Sequence, residues 1–224
     1  MNQERVLHGR TEAGELATNR VLRNTYMLLS MTLLFSAATA GLAMALNVGQ
    51  GAGLICTLAS LGLLWFVLPR FADSAAGIGV VFGVTGLLGF GLGPVLSFYL
   101  AALSNGGQLI MTALGGTGII FLGLSAYALV SKKDFSFLGG FLFVGILVAF
   151  MAGIGAAIFG LSTLSLVVSA MFILLMSGMI LYQTSAIIHG GETNYIMATI
   201  TLYIAIYNLF LSLLQLLAAF AGER

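Results

Sequence analysis

Three residues in the stretch LYQTSAIIHGGETN (181–194) have side chains suited to chemistry: Gln183, His189 and Glu192. Histidine and glutamate exchange protons near neutral pH or bind metals, and a buried glutamine amide requires hydrogen-bonding partners. Long runs of Leu, Ile, Phe, Ala and Gly flank the stretch. It therefore suits an active site, a polar relay inside a membrane, or a turn between two buried helices.

The types and number of neighbouring residues favour the turn. A metal site needs three or four converging ligands, and the only other histidine, His8, is far away near the N-terminus. No paired carboxylates, Ser-His-Asp set or HExxH motif is present. We therefore expect no catalytic residue, metal or cofactor. Thr193 or Asn194 can cap the following helix instead, with Glu192 near its positive end.

The composition determines the environment of these residues. Hydrophobic residues make up 60% and charged residues 7%, against roughly 25% charged in an ordinary soluble domain. So few charges cannot cover a soluble surface, which predicts a polytopic protein of the lipid bilayer. The net charge of +1 gives no reason to expect nucleic-acid binding, and the single cysteine excludes an intrachain disulfide.

Long segments without charge predict an all-α membrane domain with seven spans. Each uncharged gap exceeds the roughly 20 residues that cross a bilayer as helix. Continuous rather than alternating apolar runs favour helices over barrel strands. Polar and glycine-rich breaks divide the membrane domain, residues 25–220, into spans 25–46, 51–69, 75–100, 108–130, 137–160, 164–188 and 195–220.

The basic residues predict the orientation. Four arginines precede the first span, Arg70 follows the second, and Lys132 and Lys133 follow the fourth. By the positive-inside rule, the N-terminus is cytoplasmic and residues 221–224 form a periplasmic C-terminus. A cleavable signal peptide is the rival interpretation of MLLSMTLLFSAATAGLAMA, but the preceding charged segment is long and the apolar run continues beyond ATA.

Residues 1–24 are polar and charged, a composition typical of a flexible tail. The segment is either a solvated leader that fixes the orientation of the first span or a handle for a cytoplasmic partner. The glycines within the spans are interpreted as helix-packing positions rather than a phosphate loop. Gly79 with Gly83, and Gly89 with Gly93, have small-xxx-small spacing, and Pro94 predicts a kink.

The last span has one polar face, here called the seam. Its members are spaced four, three, four and three apart: Thr201, Ala205, Asn208, Ser212 and Gln215. Such a face is expected inside the bundle, either as interhelical hydrogen bonding or as the wall of a polar cavity. The candidate cavity-lining residues are Gln183, Tyr182, Thr201, Tyr203, Tyr207, Asn208, Ser212 and Gln215.

Four segments resemble the Bax inhibitor-1 family, also called transmembrane Bax inhibitor motif proteins. They are VLRNTYMLLSMTLLFSA (21–37), SKKDFSFLGG (131–140), IIHGGETNYI (187–196) and LYIAIYNLFLSLLQLL (202–217). The likeness is strongest to a bacterial branch described as modulators of the FtsH protease. It implies a seven-helix bundle whose last helix is surrounded by the other six.

The resemblance implies two activities. Some family members are pH-sensitive calcium leaks governed by two aspartates, which Gln183 and Ala205 replace here. Neither residue ionises, so the coupled titration of a carboxylate pair is lost. The bacterial branch implies instead an inner-membrane, non-enzymatic regulator. Its cytoplasmic N-terminal tail would bind FtsH, or the membrane-bound complex that regulates FtsH, and restrain degradation.

Overall fold

The seven predicted spans are confirmed as helices in the computed structural model, which describes residues 2–222 and the side chains from residue 16 onward. All seven are long and apolar enough to cross a membrane, α1 from Leu16 onward, and no strand occurs in the described residues. They are α1 (Asn2–Ala45), α2 (Gln50–Phe71), α3 (Ala76–Ala102), α4 (Gly106–Ser131), α5 (Leu138–Phe159), α6 (Ser162–Ile188) and α7 (Tyr195–Gly222).

The first helix is longer than the predicted span 25–46. Helix α1 begins at Asn2 and runs without a break into the first span. Residues 2–24 contain no proline and many Glu, Arg, Leu and Ala residues, whose helix propensity is high whether or not they are buried. Thr25 is the first fully buried side chain of those described. None of the side chains of residues 16–24 is fully buried, so the packed interior of the bundle begins near residue 25.

Helix α2 contains one wide turn of π-helix, Leu63–Val67, just before Pro69. Proline lacks an N–H, and its ring clashes with the carbonyl four residues earlier in a regular helix. A π-turn widens the helix locally, which is compatible with the proline. Beyond this turn Leu68 is fully buried and Arg70 is exposed in the last turn of α2.

Four helices contact α7, namely α1, α3, α4 and α6. Within residues 2–222, α2 packs only against α3, and α5 packs only against α6. The most extensive contact between two helices joins α1 and α3. Helices α2 and α5 thus lie at the outside of the bundle, and the last helix contacts four of the other six.

The two glycine pairs of α3 have different surroundings. A side chain at Gly89 would overlap the carbonyl oxygen of Ser36 in α1, and a Cβ at Gly93 would lie 2.5 Å from the Cβ of Ala43. A Cβ at Gly79 would meet nothing within 4 Å, and one at Gly83 only Leu63, at 3.5 Å. Only the second pair lets two backbones approach closely. The buried Pro94 follows it inside α3.

Candidate functional site

Hydrogen bonds join three turns at one end of the bundle. The turn between α6 and α7 contains Asn194, whose Oδ1 accepts hydrogen bonds from the N–H groups of Ile196 (2.9 Å) and Met197 (3.2 Å) and so caps α7. Asn194 Nδ2 donates to the carbonyl oxygen of Ala72 (2.9 Å) and to Asp73 Oδ1 (2.8 Å), in the loop after α2. The side-chain amide of Asn194 therefore caps the N-terminus of α7 and also connects this helix to the α2–α3 loop.

The third turn, between α4 and α5, is bound by the end of α6. Ser185 Oγ accepts from the N–H of Phe135 (3.0 Å) and donates to the carbonyl oxygen of Lys133 (3.1 Å). His189 Nε2 lies 3.1 Å from the carbonyl oxygen of Lys132, and its Nδ1 lies 3.0 Å from that of Ser185. A neutral imidazole has only one N–H, so it can donate to one of these carbonyls at a time.

Two acidic residues of this end, Glu192 and Asp134, make local turn contacts. Glu192 Oε1 accepts from the N–H of Asn194 (2.8 Å). Asp134 Oδ1 accepts from the N–H of Ser136 (2.8 Å), and this bond is the main reason that the pKa of Asp134 lies below its usual value. His189 and Glu192 thus bond to different partners. No three His, Cys, Asp or Glu side chains are grouped as metal ligands within the described part of the chain.

Gln183 is buried, with 5% of its surface exposed, and its Nε2 has no hydrogen-bonding partner among the described residues. Thr25 Oγ1 and Ser125 Oγ are buried without a partner in the same way. The next residue, Thr184, lies with its Oγ1 3.5 Å from the hydroxyl of Tyr26, whereas Tyr182 is half-buried beside Gly139 of α5. The three groups without a partner, on Gln183, Thr25 and Ser125, are unusual, because buried polar groups normally have one.

The seam makes different contacts along its length. Near its C-terminal end, Gln215 Nε2 donates to Ser165 Oγ (2.5 Å) and Gln215 Oε1 accepts from Ser169 Oγ (2.9 Å), which joins α7 to α6. Asn208 Nδ2 donates to the carbonyl of Ile204 in its own helix, at 2.9 Å. Ala205 and Ser212 are buried, while Thr201 is half-buried. The end of the seam at Gln215 is therefore an interhelical hydrogen-bonded contact.

Two tyrosines connect α7 to other helices. The hydroxyl of Tyr203 is 2.6 Å from Ser36 Oγ in α1 and donates to the carbonyl of Thr85 in α3 at 3.3 Å. Tyr207 donates to the carbonyl of Leu88 at 3.4 Å, and its ring stacks on that of Tyr203 with centroids 6.1 Å apart. Sequence reasoning placed both rings beside the seam but missed Ser36, because nothing in local spacing pairs residues so far apart in the chain.

Comparisons with known proteins extend over nearly the whole chain. Residues 18–222 match the family model described as inhibitor of apoptosis-promoting Bax1. An Escherichia coli K12 protein called "Modulator of FtsH protease YccA" is 49% identical over 94% of both chains, and its counterpart in strain O6:H1 is called "Inner membrane protein YccA". An uncharacterized membrane protein of Vibrio cholerae is 48% identical over 90% of both chains. This chain therefore belongs to the Bax inhibitor-1 family. It is a multi-pass protein of the inner membrane.

Proposed function

We propose that this protein is a non-enzymatic regulator that binds the ATP-dependent membrane protease FtsH and restrains its degradation of other proteins. The observation that carries the proposal is the 49% identity, over 94% of both chains, to the relative named a modulator of that protease. The family description and this relative's name denote an inhibitor and a modulator rather than an enzyme. The membrane-bound complex that regulates FtsH is an alternative direct partner.

The contact with the protease is assigned to the N-terminal segment. Helix α1 has 44 residues, whereas about 20 residues are enough to cross the hydrocarbon core. No described side chain before Thr25 is fully buried. The part of α1 that precedes residue 25 is therefore surplus to the bundle and available to a partner, as a helical rather than an irregular handle.

The proposed orientation places this handle in the cytoplasm and the C-terminus in the periplasm, with α7 as the central helix. Arg20, Arg23, Arg70, Lys132 and Lys133 all belong to the end of the bundle where the three turns are joined. Cytoplasmic ends of membrane proteins carry such an excess of basic residues. The contacts of α7 with α1, α3, α4 and α6 support its central place.

Deletion of residues 2–19, which leaves Arg20 and Arg23 to hold the orientation, is expected to abolish the slowing of FtsH. The seven-helix bundle would remain, but most of the segment proposed to contact FtsH would be absent. The measurement is the half-life of an FtsH membrane substrate in cells with the full chain, the deleted chain or neither. We expect the half-life with the deleted chain to equal that without the protein, and co-purification of FtsH to be lost.

Removal of residues 221–224, which starts in the last turn of α7 at the opposite end of the bundle, serves as the control. It should leave the substrate's half-life equal to that with the full chain. Immunoblotting of membranes establishes that all variants accumulate equally. An undiminished effect of the deleted chain, at equal abundance, would contradict the role assigned to the N-terminal segment.

A second candidate function is a cation leak, and the three buried polar atoms without partners favour it. Gln183 Nε2, Thr25 Oγ1 and Ser125 Oγ lie inside a membrane bundle, where water molecules commonly satisfy such groups. A hydrated region of this kind would form part of an ion path together with the seam. The substitution of Gln183 and Ala205 for the family's aspartates removes acid-dependent gating by that pair, so any leak would not titrate through it.

The leak is tested with the purified protein in liposomes that contain a cation-sensitive dye. Asn208→Leu removes an amide from the seam and should reduce the flux at least several-fold. Thr112→Leu, at an exposed position of α4, should not. Flux no greater than that of empty liposomes, at both acidic and neutral pH, would rule this function out.

A further inference from the structure

A large groove lies at the end of the bundle where the three turns meet. Its volume is about 1080 Å³, and it is lined by the first turns of the α1 span (residues 17–22), the end of α4, the end of α6 and the turn before α7. The apolar spans of α4 and α6 end at this level, at Ser131 and Ile188. The groove therefore lies where the hydrocarbon core gives way to the headgroup layer.

The groove continues between α1 and α4. A second cavity of about 240 Å³ shares Asn19, Leu22 and Leu129 with the first and extends to Arg23 and Tyr26. Helices α1 and α4 do not pack against each other within the described residues. Deeper in the bundle, the rings of Tyr26 in α1 and Phe121 in α4 are adjacent, with centroids 6.0 Å apart. An apolar slot thus leads from the groove along the side of the bundle.

The charges of the lining are predominantly positive. Arg20 and Lys132 line the groove, and Arg23 lines the slot; all three are exposed. Glu192 is the one acidic residue of the two linings, and its Oε1 accepts the N–H of Asn194 in its own turn. Lys132 follows the last turn of α4 in a left-handed conformation, with φ of 49°. A basic rim and an apolar slot together match an amphiphile with a negative head.

We propose that the groove and slot bind one anionic phospholipid, whose phosphate lies at the rim formed by Arg20 and Lys132 and whose acyl chain follows the slot past Leu129. A free phosphate would leave Leu22, Leu129 and Tyr26 uncovered. The groove is larger than the roughly 300–1,000 Å³ of an ordinary small-molecule pocket. Basic pockets between membrane helices on the cytoplasmic side are known to bind lipid headgroups. Residues 17–22 of the lining also belong to the segment assigned to FtsH, but the lipid proposal does not rest on that assignment, because its test measures lipid binding alone.

Native mass spectrometry of the full chain in detergent, titrated with phosphatidylglycerol or phosphatidylcholine, tests the proposal. The first phosphatidylglycerol should bind at least tenfold more tightly than the first phosphatidylcholine. Each basic residue near a membrane surface contributes about 1 kcal/mol, or about fivefold in affinity. The double variant Arg20→Gln with Lys132→Gln should therefore lose most of the preference.

The double variant Arg70→Gln with Lys133→Gln removes the same charge from the same end of the bundle but leaves both linings intact, and should keep the preference. Leu129→Trp fills the slot and should weaken the binding of both lipids several-fold. Leu122→Trp, on the exposed surface of the same helix, should leave their binding unchanged. Glycerol phosphate, a headgroup without chains, should not displace the lipid.

Equal binding of the two lipids by the unmodified chain would overturn the proposal, as would an equal loss of preference in both double variants. Unchanged binding after Leu129→Trp, or displacement by glycerol phosphate at concentrations comparable to the lipid, would overturn the assignment of the acyl chain to the slot. Equal elution of all variants in size-exclusion chromatography establishes that they are folded.

Discussion

Replacement of Gly89 by alanine is expected to lower the free energy of unfolding by about 2–4 kcal/mol. A Cβ at this position overlaps the Ser36 carbonyl oxygen and the Thr39 hydroxyl, and lies 2.6 Å from Ser36 Oγ. To make room, α1 must move away from α3 along their extensive interface, and Ser36 must also rotate and give up its 2.6 Å hydrogen bond to Tyr203. Because the obstructing atoms include backbone, a simple side-chain adjustment cannot relieve the overlap.

The measurement is unfolding of the purified protein in mixed micelles of mild detergent and dodecyl sulfate, followed by circular dichroism. Gly79→Ala is the matched control, since it adds the same methyl group to the same helix where nothing lies within 4 Å. Alanine also has the higher helix propensity, so this variant should be at least as stable as the parent. Equal stability of the two variants would contradict the close approach of α1 and α3 at Gly89.

Replacement of Asn194 by alanine is expected to cost about 2–3 kcal/mol, from loss of an N-cap and of two bonds to another loop. The side chain accepts from two N–H groups at the start of α7 and donates to Ala72 and Asp73. Its loss leaves those helix donors unsatisfied and releases the α2–α3 loop. The same unfolding measurement applies, and hydrogen exchange should rise at residues 72–75 and 195–198.

Asn194→Ser separates the two contributions, because serine caps a helix but is too short to reach the neighbouring loop. Asn194→Ser should lose only about half as much stability as Asn194→Ala. Its hydrogen exchange at residues 72–75 should still be faster than in the parent chain. Thr193→Ala, at the exposed preceding residue, should behave like the parent chain. Slow exchange at residues 72–75 in Asn194→Ala would mean that other contacts hold this loop.

Properties that depend on one residue and its near neighbours were predictable from the sequence. Seven helices follow from uncharged runs that only lipid can surround, and a cap at residue 193 or 194 follows from the polar types that precede an apolar run. The structure selects Asn194 for this cap. The start of α1 at Asn2, well before the predicted span, was not predictable from the apolar run, because a composition that argues against burial does not argue against local helix formation.

Properties that depend on which helices become neighbours were not predictable. Gly79 with Gly83 and Gly89 with Gly93 have the same spacing, yet only the second pair faces another backbone at close range. The residues around Ser36 and Ser185 do not indicate that they hydrogen-bond to Tyr203 and Phe135. These partners lie in other parts of the chain. The groove similarly combines residues from four segments, so its basic rim is visible only after folding.

The uninterrupted α1 also has a mechanical consequence. A motor that pulls on the N-terminus applies force along the axis of a helix that is one rod from Asn2 to Ala45. Its contacts with α3, α6 and α7 lie along the sides of that rod, so they are loaded together in shear rather than peeled apart one after another. Contacts that are sheared in parallel share the load. A pull on α1 therefore needs a large force to separate this helix from the bundle and unfold it.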